Sequence, residues 1–183
     1  MSRSIIFPAG IIIEPGNEVQ FYLRRTRQSV SEMLAFTAQT PGTPRNNYAS
    51  PVGFKFTVGS TPITVTQLGV WVYSGNVNTH VIGLYPGACG AALGTVTVNM
   101  SGATAGDYLW GVLGTPIALS ASTTYGVAAT FSDLSDNWSE NNCSVTPSAD
   151  INSVMQGTDP VSGWGNVGGS NITYGLPNFK YTY

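Results

Sequence analysis

The sequence predicts an all-β protein: an antiparallel β-sandwich of the jelly-roll or immunoglobulin-like kind, with about eight strands and an extended N-terminal arm. Three observations predict it. Apolar and polar residues alternate at period two through most of residues 51–183, turn-forming residues interrupt that alternation about every ten residues, and no stretch carries a convincing helical period. Charged residues make up only 9% of the chain, against a usual share of about a quarter. Gly, Ser, Thr, Asn and Tyr fill the gap, which suits short strands, tight turns and uncharged hydrogen-bonding surfaces.

The strands follow in order. Val52, Phe54, Phe56 and Val58 alternate with Gly53, Lys55 and Thr57, giving one buried face. Ile63 and Val65 continue the pattern, and the phase then slips so that Leu68, Val70 and Val72 take over. A one-residue slip would turn the apolar set outward, so a β-bulge is expected around Gln67, Leu68 and Gly69, with Trp71 and Tyr73 on the opposite face. His80, Ile82 and Leu84 share a face in the next strand. Val96, Val98 and Met100 make another, residues 108–113 and 117–119 two more, and Tyr125, Val127, Ala129 and Phe131 the best defined. Phe179, Tyr181 and Tyr183 end the chain in phase.

Residues 1–50 differ from this body and are read as an arm, anchor and linker. An apolar run reaching Ile11, Ile12 and Ile13 precedes a turn signal, then a short strand candidate around Phe21, then Arg24, Arg25 and Arg27. Residues 28–38 fit either a strand or a helical turn, and residues 39–47 have a linker's composition. The arm carries net +2 and the body net −4. A mildly acidic body argues against nucleic acid as a target, since phosphate binding needs clustered Lys and Arg. The apolar run is far shorter than the roughly 20 residues that span a bilayer, so no membrane partner is expected. The run is broken by Pro8 and Gly10 and lacks a small-x-small cleavage site, so no export leader is expected either.

The second departure from regular alternation is residues 133–175, rich in Asn, Ser, Gly and Asp. It is read as a long loop insertion, and long loops in small domains are often functional. Its acidic stretch holds the calcium candidates Asp133, Asp136 and Glu140. Their spacing matches no standard calcium loop, so a solvated turn is the favoured reading and no cofactor is expected. Trp138 and Trp164 lie in the same insertion and are the preferred contacts for a glycan or a partner, against the alternative of plugging the ends of the sandwich. His80, the lone histidine, has no nucleophile or orienting carboxylate in its sequence neighbourhood and is read as a half-buried residue bonded across its strand. Cys89 and Cys143 form no Cys-x-x-Cys pair; they either bridge two loops or stand as free thiols.

Several stretches taken together carry a family resemblance. They are Val52-Gly53-Phe54-Lys55-Phe56-Thr57-Val58, Val65-Thr66-Gln67-Leu68-Gly69-Val70-Trp71 and Thr79-His80-Val81-Ile82-Gly83-Leu84-Tyr85, followed by Thr115-Pro116-Ile117-Ala118-Leu119, Thr124-Tyr125-Gly126-Val127 and Asn178-Phe179-Lys180-Tyr181. In this order and spacing they resemble a β-sandwich domain of unknown function found in secreted multidomain bacterial proteins, often beside glycan-active modules, and in phage structural proteins. The resemblance covers about half the chain and implies no catalytic residues. With the arm-plus-sandwich layout, it implies a non-catalytic structural protein of a phage-like virion: a capsid decoration, head-fibre or tail-associated protein. Residues 1–50 would anchor the chain and the sandwich would face outward. Other virion proteins, further copies of this chain and a host-surface glycan are the expected partners. The alternative is a carbohydrate-binding or adhesion module of a bacterial extracellular protein. An enzyme is not expected, because no group of residues has paired catalytic roles.

Overall fold

The computed structural model describes residues 31–132, 134–140 and 143–183, and all the regular structure among them is β. Three short strands come first: β1 (Met33–Leu34), β2 (Phe36–Thr40) and β3 (Pro44–Arg45). The expected series follows as β4 (Val52–Val58), β5 (Ile63–Trp71), β6 (Thr79–Pro86), β7 (Gly94–Asn99), β8 (Tyr108–Leu119) and β9 (Thr124–Thr130). Then come β10 (Trp138–Ser139), β11 (Ser144–Pro147), β12 (Ile151–Thr158), β13 (Gly165–Gly168) and β14 (Pro177–Thr182).

Two antiparallel sheets face each other. One is six-stranded in the order β13-β12-β4-β9-β6-β7, the other four-stranded in the order β1-β14-β5-β8; the pairs β10-β3 and β11-β2 flank them. The alternation at period two explains the core. Phe54 and Phe56 project inward from β4, Phe179 and Tyr181 from β14, and the rings of Phe56 and Phe179 meet at 4.8 Å across the two sheets. Full burial of each such ring contributes roughly 1.5–3 kcal/mol.

The phase slip in β5 is a bulge at Thr66. Lys180 pairs with Gln67 while Tyr181 pairs with Val65, so Thr66 is the extra residue that returns Leu68 and Val70 to the core. The bulge lies just before the expected position. On the other side of β5, Ile117 pairs with Val65 and Val112 with Gln67. Residues 113–116 therefore bow out of one continuous strand, where the alternation suggests two.

Both irregular segments take part in the sandwich. Residues 31–50, read from sequence as arm and linker, supply β1 against β14, β2 against β11 and β3 against β10, and Phe36 is fully buried against Phe54. The supposed loop insertion holds β10 to β13, including the eight-residue β12 alongside β4. The arm residues Ile11, Ile12, Ile13, Phe21, Arg24 and Arg25 lie outside the described residues, as does Asp133.

Candidate functional site

The site is built on a polar knot between the turn before β6 and the loop after β9. Asp136, buried, accepts hydrogen bonds from the backbone N–H of Val77 and Asn78, from the Asn78 amide and from His80 Nε2 at 2.8 Å. Burial alone would raise the Asp136 carboxyl, but the hydrogen bonds from His80, Asn78 and Val77 outweigh it and hold the group below its ordinary value. His80 Nδ1 lies 2.9 Å from the carbonyl of Thr130. Each ring nitrogen of His80 therefore has a partner. With both nitrogens engaged inside the core, His80 is a structural crosslink rather than an accessible base. The carboxylate that orients it comes from a residue far away in sequence.

Beside this pair, Asn76 Nδ2 donates to the carbonyl of Asn137 and the N–H of Asn137 donates back to Asn76 Oδ1, each at 2.8 Å. These bonds fix residues 136 and 137, and Trp138 follows directly. Its register partner across β10 and β3 is Arg45, whose guanidinium carbon lies 5.7 Å from the indole centroid. Arg45 also forms an ion pair with Glu140. Tyr48 and Tyr174 approach Trp138 edge-on at 6.3 and 6.1 Å. Tyr48 donates to Asp159 at 2.6 Å, which pushes its hydroxyl pKa up, and Tyr174 accepts from Gln156 Nε2 at 2.9 Å.

Together Arg45, Tyr48, Trp138, Glu140, Thr158, Asn166 and Tyr174 line an open pocket of about 160 Å³. Trp138 is 3% exposed, and its indole N–H is buried with no hydrogen-bond partner among the described residues. Trp138 is thus a wall of a recess rather than an exposed platform.

Trp164 has a different environment. Its ring packs on Gly126 of β9 and Gly157 of β12, its N–H reaches the carbonyl of Pro86 at 3.3 Å, and Tyr85 meets it edge-on. A Cβ at Gly126 would come within 1.9 Å of the indole, so the bare backbone is what admits the ring. Trp164 is not among the residues that line the recess beside Trp138.

Of the calcium candidates, Asp136 is turned into the knot with His80 and Glu140 faces Arg45. No group of three or more metal-ligating side chains occurs among the described residues. Cys89 is exposed, Cys143 is buried against the Thr173 hydroxyl, and the two are not bridged. Sequence reasoning passed over Arg45, Tyr48, Thr158, Asn166 and Tyr174. The available signal was Tyr48 and Tyr174, aromatic residues in otherwise polar, turn-rich surroundings.

Residues 38–164, well over half of the chain, match a family model described as Domain of unknown function (DUF4082). The match starts within β2 and so takes in β3, β10 and most of the pocket, leaving Asn166 and Tyr174 beyond its end. No curated protein and no solved structure matches the chain.

Proposed function

We propose, for a chain that belongs to the DUF4082 family, a non-catalytic structural role in a phage-like virion, with the sandwich displayed outward and the N-terminal segment as anchor. The observation that supports this reading is that the described residues from 31 onward bury a core between two sheets. Residues 1–30 hold the apolar run and the Arg24, Arg25 and Arg27 cluster, a composition suited to contact with another chain. We read that sequence as the contact with a neighbouring subunit, either another virion protein or a second copy.

The test compares the full chain with a variant lacking residues 1–30. The variant is expected to keep the β circular dichroism and melting temperature of the full chain and to lose self-association in sedimentation velocity and incorporation into particles. Unchanged association and incorporation would remove the anchoring reading.

A second reading, a carbohydrate-binding or adhesion module, is favoured by one specific observation. The two segments that depart from the regular sandwich pattern meet around a pocket walled by Tyr48, Trp138 and Tyr174. A displayed virion protein that binds host-surface glycan would satisfy both readings.

A further inference from the structure

From the pocket's size, wall chemistry and charge balance, we infer that it is a binding site for one neutral hexopyranose ring, the terminal sugar of a glycan. This deepens the carbohydrate-binding reading and rests on it; the anchoring reading is independent of it.

Size comes first. A cavity of about 150 Å³ is enough to take up one benzene ring, and this one measures about 160 Å³. That volume corresponds to about one ring rather than several, which suits the end of a chain rather than a run of sugars.

The walls suit a pyranose. Beside the buried Trp138, Tyr48 and Tyr174 offer ring surface to the C–H face of a sugar, and both are held in place by their own hydrogen bonds, Tyr48 to Asp159 and Tyr174 to Gln156. Rings fixed in advance lose little entropy on binding. The polar rim combines Arg45, which only donates, Glu140, which only accepts, and Thr158 and Asn166, which do both. A sugar hydroxyl also does both, so neighbouring hydroxyls can use the whole set. The buried indole N–H of Trp138 has no acceptor among the described residues. Buried donors are paired in the great majority of cases, so this one calls for a partner.

Charge narrows the ligand. Arg45 and Glu140 neutralise each other at the mouth, so an anion gains no net field there. A quaternary ammonium would seek the face of Trp138, but Arg45 already lies over that ring. A neutral polyhydroxy ring meets neither obstacle.

The experiment uses the full chain, an array of neutral-hexose-terminated and acidic-sugar-terminated oligosaccharides, and choline as the cationic probe. Glu140→Gln and Arg45→Met alter partly exposed side chains and are expected to keep the native melting curve. The expected result is selective binding of neutral termini, with each variant about tenfold weaker, the loss of roughly one charge-assisted hydrogen bond. Ligand-induced NMR shifts should fall on the Tyr48, Trp138 and Tyr174 rings. Glycan binding that neither variant weakens would overturn the pocket assignment while leaving the carbohydrate-binding reading in place. No glycan binding by the folded full chain would overturn both. A preference for choline or for acidic termini would overturn the neutral-sugar assignment.

Discussion

The Nε2 atom of His80 and the Oδ2 atom of Asp136 lie 2.8 Å apart, with side chains only 1% and 2% exposed, and this pair pins the loop that carries Trp138. Removing one member of a buried pair strands the other in the core, at a cost of about 3–5 kcal/mol. Asp136→Ala should therefore shift the urea midpoint sharply downward. It should also change the fluorescence of Trp138, because the backbone positions of residues 136 and 137 depend on the same knot. An unfolding free energy within about 0.5 kcal/mol of the parent would show that the pair contributes little.

Acid should act through the same carboxylate. Asp136 is held below its ordinary value of 3.8 in the folded protein. The folded state therefore binds fewer protons than the unfolded state as the carboxyl titrates. The resulting stabilisation is full above the unfolded pKa and is lost as pH falls through the folded one. Urea midpoints are expected to fall below about pH 4 in the parent and to fall less in Asp136→Asn, which is weaker throughout. Parallel curves for the two proteins would assign acid sensitivity to other carboxylates.

Two glycines in neighbouring strands should respond differently to the same substitution. A Cβ at Gly53 would sit 1.9 Å from the carbonyl oxygen of Val127, a backbone atom of the adjacent strand that has no room to yield. A Cβ at Gly126 would meet the Trp164 ring, a side chain that can swing out. Gly126→Ala is expected to cost about 1–3 kcal/mol and red-shift Trp164 emission in a folded protein. Gly53→Ala should cost more and yield little soluble protein. The reverse order in thermal melts would contradict this packing.

The two thiols should separate by accessibility. Cys89 is exposed, whereas Cys143 is buried and burial pushes its thiol pKa up, which disfavours the reactive thiolate. A maleimide reagent is expected to label one cysteine in native protein and two in denaturant, with Cys89 identified by peptide mapping. A reducing agent should leave the melting temperature unchanged. Failure of native protein to react, or a melting temperature that drops on reduction, would point to a bridge.

Strand faces were legible wherever the alternation is uninterrupted, as in β4, β7 and β9, because a period-two pattern is a local property of the chain. The bulge in β5 was legible for the same reason, since it leaves a slip in phase. β12 was hidden because its register shifts between Ile151 and Ser153, so its buried residues Ile151 and Val154 fall out of step. The pattern of β1 and β2 fits either a strand or a helical turn, because they are short and joined through Ala35. Their place in the sandwich rests on pairing with β14 and β11 from the other end of the chain.

By itself, the sequence determined an all-β sandwich and the buried faces of its regularly alternating strands, and it marked off two segments that depart from that alternation. Tertiary structure alone decided what those segments build. His80 and Asp136 are 56 residues apart, and Arg45 meets Trp138 only because β3 pairs with β10. Neither contact leaves a periodic trace, because a pocket drawn from distant segments depends on long-range pairing that no local pattern encodes.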